Sequence, residues 1–156
     1  MRIGLISDTH SHLDPQVFEL FKDVDEIWHA GDVGKVEVIE KLAAFKPLRC
    51  VYGNIDGKDV RVDYPRDLRW NCEGMDIWMT HIGGYPGKYN RRIREEMAVN
   101  PPGMFICGHS HILKVIFDQK YQCLHVNPGA AGIVGFHKVR TMIRFTIEME
   151  NQRIWR

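Results

Sequence analysis

Five short apolar runs in this chain each finish in a side chain able to bind a metal ion. That pattern restricts the available folds more than any other feature of the sequence. The runs read IGLISDTH, EIWHAGD, CVYGN, IWMTH and MFICGHSH. Short apolar runs bounded by turn-forming residues have the character of buried strands. In the first third, the strands Arg2–Ser7, Glu26–Ala30 and Leu48–Tyr52 alternate with amphipathic segments. Pro15–Lys22 reads as a short helix with Asp14 as its N-cap and Pro15 at its first position. Val36, Ile39, Leu42 and Ala43 fall at helical spacing, which predicts a helix over Lys35–Phe45. A β-α-β-α-β order calls for a parallel sheet with helices against it.

The second half reads differently. Asp67–Cys72 and Asp76–Thr80 are predicted strands of a hairpin across Glu73–Gly74–Met75. Tyr89–Val99 is a predicted helix stopped by Asn100–Pro101–Pro102. Met104–Cys107, Lys114–Asp118, Gln122–Val126, Thr141–Glu148 and Arg153–Trp155 are predicted strands, with a turn at Asp118–Gln119–Lys120. The expectation is an α/β protein with a parallel first part and a mostly antiparallel second part. Two packed sheets with helices outside accommodate both. At 156 residues, the whole span 1–156 is expected to be one domain.

A net charge of +1 gives no electrostatic case for a long nucleic acid or a membrane surface as partner. No apolar run has the length of a membrane span, and the start lacks the pattern of a signal peptide. Cys50, Cys72, Cys107 and Cys123 are widely spaced and lie in or beside apolar runs. They read as reduced, mostly buried thiols, which places the chain in the cytoplasm.

The candidate ligands are Asp8, His10, Asp32, Asn54, His81, His109 and His111. In open α/β sheets, ligands gather beyond the carboxyl ends of the strands. Asp8 and His10 are two apart, as are His109 and His111, so on extended chain each pair points one way. Glycine precedes the ligand in Gly31-Asp32, Gly53-Asn54 and Gly108-His109, where it permits a sharp bend and close backbone approach. Histidines, carboxylates and an amide oxygen suit borderline divalent ions such as Mn²⁺, Fe²⁺ or Zn²⁺. Seven ligands exceed one ordinary site and suit two ions sharing a carboxylate, an arrangement fit for displacement at phosphorus.

The ordered set D-x-H, G-D, G-N, H and G-H-x-H resembles that of the calcineurin-like metallophosphoesterases, particularly their small single-domain bacterial and archaeal phosphodiesterases. Its members here are Asp8-Thr9-His10, Gly31-Asp32, Gly53-Asn54, His81 and Gly108-His109-Ser110-His111, with Asn127-Pro128-Gly129 as a further likeness. The resemblance implies a four-layer α-β-β-α sandwich of two mixed sheets flanked by helices. It implies two divalent ions, Mn²⁺ first, with Fe²⁺, Zn²⁺ and Ni²⁺ as alternatives. Asp8, His10 and His111 would hold one ion; Asn54, His81 and His109 the other; Asp32 would bridge them. A metal-bridging hydroxide would attack a small or nucleotide-like phosphoester, a diester rather than a monoester. Asn54 would also touch the phosphate. The same resemblance admits a non-catalytic protein-binding scaffold, like the retromer subunit of this fold, or a metal-dependent nuclease. A homo-oligomer is compatible with all of these.

Many members follow G-N with a histidine that protonates the leaving group. Here that position is Ile55, which has no proton to give. His12 is the replacement candidate, against the plain reading of a solvated loop histidine. His29 reads as a support for Asp32, and His125 as packing. His137, Lys138 and Arg140 are within chain reach of the phosphate, with surface charge as the commoner explanation. Trp28, Trp70 and Trp78 fit core positions. Tyr85, Tyr89, Arg91 and Arg92 follow His81 closely enough to line the mouth of a site, although an exposed helix face explains the two arginines equally well.

Overall fold

Apolar side chains alternate along every central strand, and that alternation divides the structure into layers. The computed structural model describes residues 1–149. In chain order the first elements are β1 (Arg2–Ile6), α1 (Gln16–Leu20), β2 (Glu26–His29), α2 (Val36–Phe45), β3 (Leu48–Cys50) and α3 (Lys58–Arg61). They are followed by β4 (Asp67–Cys72), β5 (Met75–Thr80), β6 (Gly84–Tyr85), β7 (Lys88–Tyr89) and α4 (Arg91–Val99). The last are β8 (Met104–Ile106), β9 (Leu113–Asp118), β10 (Cys123–Pro128) and β11 (Ile143–Thr146). The strand expected at Arg153–Trp155 lies outside the described residues.

One sheet has the order β11-β1-β2-β3 and the other β4-β5-β8-β10-β9; β6 and β7 form a small ribbon. In β1, Ile3 and Leu5 enter the core between the sheets while Ile6 faces outward. In β5, Ile77 and Met79 face inward and Trp78 outward; in β8, Met104 and Ile106 oppose Phe105 in the same way. Outside the first sheet, Val17 and Phe21 of the α1 region and Val38, Ile39 and Leu42 of α2 pack over Ile27 and Cys50. Outside the second, Ile93 and Met97 of α4 cover Trp78 and Phe105. The result is the four-layer α-β-β-α sandwich. Buried Trp28 and partly buried Trp70 join the two sheets edge to face, with ring centroids 4.8 Å apart, and a fully buried side chain such as Trp28 stabilises the fold by about 2–3 kcal/mol. All four cysteines are free and buried.

Two expectations need correction. The second sheet is not mostly antiparallel. Its three central strands β5, β8 and β10 run parallel, and only the edges β4 and β9 pair antiparallel. α4 carries the chain from β5 across to β8, so consecutive apolar runs become parallel neighbours rather than hairpins. The helix expected from Tyr89 begins at Arg91, because Tyr89 pairs with Gly84 in the ribbon and buries its ring against Phe105. Elsewhere ends move by one or two residues. At α1, Asp14 does accept the Gln16 N–H at 2.9 Å, while Pro15 occupies the capping position. The β4–β5 hairpin closes on Glu73 and Gly74, both at positive φ, the geometry of a type I′ turn. α3 and the ribbon were not foreseen; both are too short to leave a periodicity.

Candidate metal centre

All seven candidate ligands lie just past the carboxyl ends of β1, β2, β3, β5 and β8. Backbone hydrogen bonds stitch those loops together: Asp8 N–H to Gly31 O at 2.9 Å, His10 N–H to Asp32 O at 3.0 Å, and Gly108 N–H to His81 O at 2.9 Å. The mechanism of convergence differs from the expected one. Asp8, His10, Asp32, His109 and His111 all have positive φ, between 44° and 69°. They are not on extended chain; left-handed residues fold the loops inward. Non-glycine residues in that region cost roughly 1 kcal/mol or more each and cluster at functional sites. Two glycines make the approach possible. Gly31 sits at φ 99°, and a Cβ there would come 2.7 Å from His81 Nδ1. A Cβ on Gly53 would collide with the Asp32 carboxylate.

Two groups result. Asp8, His10 and His111 form one, and Asp32, His81 and His109 the other, each with its ligand atoms within 4.8 Å of one another. Asn54 joins the second, its Oδ1 lying 3.0 Å from His109 Nδ1. Each carboxylate has one oxygen tied to the protein and one turned inward. Asp8 Oδ2 accepts from Ser7 Oγ at 2.7 Å and from the His109 N–H at 3.1 Å. Its Oδ1 faces His111 Nε2 at 3.2 Å and His10 and His81 Nε2 at 3.8 Å. Asp32 Oδ1 accepts the Ile55 N–H at 3.1 Å. Its Oδ2 lies 3.4 Å from His10 Nε2 in one group and 3.1 Å from His81 Nε2 in the other.

Two histidine tautomers follow from what their outer nitrogens touch. His81 Nδ1 lies 2.8 Å from Ala30 O. A carbonyl only accepts, so Nδ1 carries the proton, and in the neutral ring the Nε2 lone pair points at the carboxylates. His137 Nε2 lies 2.7 Å from Gly132 O, so it too is a donor. The neutral His137 ring then accepts at Nδ1 from His111 Nδ1–H at 3.2 Å, leaving the His111 Nε2 lone pair facing Asp8. Lone pairs set against carboxylate oxygens repel unless a cation or proton lies between them. Asp8 Oδ1, His10 Nε2 and His81 Nε2 are buried with no hydrogen-bond partner among the described residues. Unpaired buried polar atoms cost about 1–3 kcal/mol each, so three converging on one point fit a bound cation.

Without an ion, protons take its place: burial works against a charged His81, but Asp32 and Asp8 beside it outweigh burial and raise the ring. Burial opposes ionisation of Asp8, yet the facing rings of His10 and His111 and the charge of His81 outweigh it and hold the acid below the ordinary carboxylate range. Burial likewise opposes ionisation of Asp32, and the His81 ring overcomes it and lowers the acid. The facing Asp8 carboxylate raises His10. Burial lowers His109, and the charge of His81 adds to the effect.

The remaining candidates fall elsewhere. His12 belongs to neither group; its Nε2 accepts from Arg140, which also pairs with Asp14. An Nε2 facing a guanidinium is an acceptor and has no proton to give there. His137, within chain reach of the phosphate by sequence, is occupied by His111 and Gly132. Lys138 is exposed. His29 is fully buried and acts on the Asp32 loop through backbone, not through the Asp32 side chain: its Nδ1 accepts the Gly31 N–H at 3.1 Å and its Nε2 meets Thr9 Oγ1 at 3.0 Å. His125 is buried among Tyr85, Tyr89 and Phe105. Arg91 pairs with Glu95 on the surface, whereas Arg92 lines a cavity with Asn54 and His81.

Sequence reasoning missed Asp56. Buried two residues after Asn54, it accepts from Gly53 N–H at 2.8 Å, Gly34 N–H at 2.9 Å and Val33 N–H at 3.1 Å. It thereby ties the Asp32 loop to the Asn54 loop. An acid just past a glycine-asparagine turn was the available signal. Asn127 does similar work at the last motif, donating to Gly108 O at 2.9 Å and Ser110 Oγ at 3.1 Å.

Residues 1–150 match the calcineurin-like phosphoesterase superfamily domain. A probable metallophosphoesterase of Methanothermobacter thermautotrophicus is 32% identical over 135 residues, covering 83% of this chain and 77% of that one. A phosphodiesterase of Methanocaldococcus jannaschii is 28% identical over 148 residues, covering 83% of each. Among solved structures, wild-type Vps29 of Entamoeba histolytica complexed with Zn²⁺ superposes with a TM-score of 0.75 over 96% of this chain and 88% of that one; at 18% identity it shares the fold.

Proposed function

The chain belongs to the calcineurin-like phosphoesterase superfamily, and from that premise we propose that it is a phosphodiesterase working through two divalent ions. The observation that carries the reading is the inward-facing set of buried, unpartnered Asp8 Oδ1, His10 Nε2 and His81 Nε2. In this reading Asp8, His10 and His111 hold one ion, and Asn54, His81 and His109 the other. Asp32, whose Oδ2 lies within 3.4 Å of a histidine in each group, would be shared by both. Mn²⁺ suits the mixed nitrogen and oxygen donors. Bound ions of this kind polarise phosphoryl oxygens and lower the pKa of a coordinated water.

The protein's own contribution is position. The αL loops hold the ligands, and the Asn54 amide is placed to donate NH₂ to a phosphate oxygen when its carbonyl faces the metal. Ile55 stands half exposed beside Asn54, and His12 is engaged with Arg140. Neither Ile55 nor His12 therefore offers an acid to the leaving group, which favours esters of acidic alcohols or phenols. The protein-binding role of a Vps29-like scaffold is the competing reading; retention of all seven ligand positions supports catalysis over it. The four buried thiols support a reducing compartment such as the cytoplasm.

The test is hydrolysis of bis(p-nitrophenyl) phosphate against p-nitrophenyl phosphate, after chelation and after Mn²⁺ is restored. The reading expects activity lost and regained, with the diester preferred. Metal-loaded protein inert towards both esters would sink it.

A further inference from the structure

Beside the second ligand group the surface opens into a cavity of about 290 Å³. Asn54 and His81 line it on the side of the metal centre, and Tyr52, Arg61, Arg66 and Arg92 are among the other lining residues. Three arginines lining one small space stand out in a chain whose 21 basic and 20 acidic residues nearly cancel. Their partners separate them. Arg92 is neutralised by both oxygens of Asp67, at 3.0 and 2.9 Å, and braced by Thr80 Oγ1 at 3.0 Å. Arg61 has no carboxylate partner among the described residues. Its Nε donates to Asp56 O at 2.6 Å, and its guanidinium lies over the Tyr52 ring at 4.3 Å. Those contacts fix its direction and leave its charge uncompensated. The Arg66 guanidinium has neither a hydrogen-bond nor an ion-pair partner among the described residues.

Two exposed, uncompensated arginines thus line a space whose other wall belongs to the metal centre. We propose that this cavity is a phosphoryl subsite, and that the substrate is a phosphodiester whose retained half carries a second phosphoryl group. The proposal rests on the phosphodiesterase reading and names its substrate class. Guanidinium forks match phosphoryl oxygens in pairs. A volume at the lower end of the range for small-molecule sites suits a phosphoryl group on a short carbon linker. Because Asn54 and His81 belong to both spaces, one molecule can present its scissile phosphorus to the ligand groups and its second anion to Arg61 and Arg66.

The experiment compares p-nitrophenyl ethyl phosphate with p-nitrophenyl 2-phosphonoethyl phosphate. Both release the same phenolate, so any difference reports the tail. In the wild type kcat/KM is expected to favour the phosphonoethyl ester by roughly tenfold or more, the worth of one charged hydrogen-bonded contact. In R66A, which removes no hydrogen bond or ion pair among the described residues, that ratio should fall towards one; R66K should restore part of it. A ratio near one in the wild type, or one that survives R66A unchanged, overturns the subsite. Should neither ester be hydrolysed, the phosphodiesterase reading fails, and calorimetric titration of chelator-treated protein with ethylphosphonate decides the subsite. Binding weakened about tenfold in R66A supports it; equal affinity in both proteins refutes it.

Discussion

Replacing Asp56 by alanine strips three backbone N–H groups of their common acceptor at once. Gly53, Gly34 and Val33 donate to this carboxylate at 2.8, 2.9 and 3.1 Å, and Asp56 is only 3% exposed. A buried donor left unpaired costs about 1–3 kcal/mol. Allowing for water entering the space, the three together come to about 3–5 kcal/mol, at the upper end for a single substitution. D56N separates the contributions. Its amide oxygen can keep the two donors that share Oδ2, while its NH₂ must oppose Gly34 N–H, a loss of about 1–2 kcal/mol. Urea denaturation reads the stability. Calorimetric Mn²⁺ binding reads the site, because the loops that Asp56 joins carry Asp32 and Asn54. The expected order is wild type, D56N, D56A in both measurements. A D56A protein within about 1 kcal/mol of the wild type, or one destabilised with Mn²⁺ affinity intact, would refute the claim that this carboxylate builds the centre.

Three further outcomes are expected. His29 is buried neutral, its pKa lowered to about 4 by desolvation, so the unfolded chain takes up the proton first. Its contribution of about 3 kcal/mol is present above about pH 6.5 and lost as pH falls towards 4; urea midpoints of chelated protein should show a shallower acid slope in H29Q, and equal slopes would contradict this. H137L removes the acceptor that fixes the His111 tautomer and should weaken one of two Mn²⁺ binding events about 10–100-fold, with H137N, whose side-chain oxygen can accept, falling less; equal weakening of both events would argue for a general structural effect. I55H should raise turnover of diesters with poor leaving groups by up to about 10²-fold and leave p-nitrophenyl esters little changed; a uniform change across leaving groups would show that no acid is missing.

The ligand candidates were legible because each ends an apolar run, and strand ends converge wherever the strands share a sheet region. How they converge was not legible. The two-residue spacing of Asp8 and His10 suggested extended chain, whereas both adopt αL, a conformation dictated by the loops that meet there rather than by either residue. The partner of His137 was hidden for a similar reason: Gly135, against which a Cβ would strike His111, lets the Gly132–His137 segment fold onto a ligand 26 residues earlier. The parallel centre of the second sheet depended on α4 as a crossover, which apolar periodicity alone does not reveal. Asp56 was overlooked because its work is on backbone N–H groups, so its place just past the glycine-asparagine turn was the one trace it left in the sequence.

The central claim is a pair of ions joined by Asp32, and anomalous scattering from Mn²⁺-loaded crystals tests it most directly. The account predicts two peaks roughly 3.5–4 Å apart, with Asp32 Oδ2 touching both. Asp8, His10 and His111 should lie on one, and Asn54, His81 and His109 on the other. A single peak, or two peaks of which only one contacts Asp32, would contradict it.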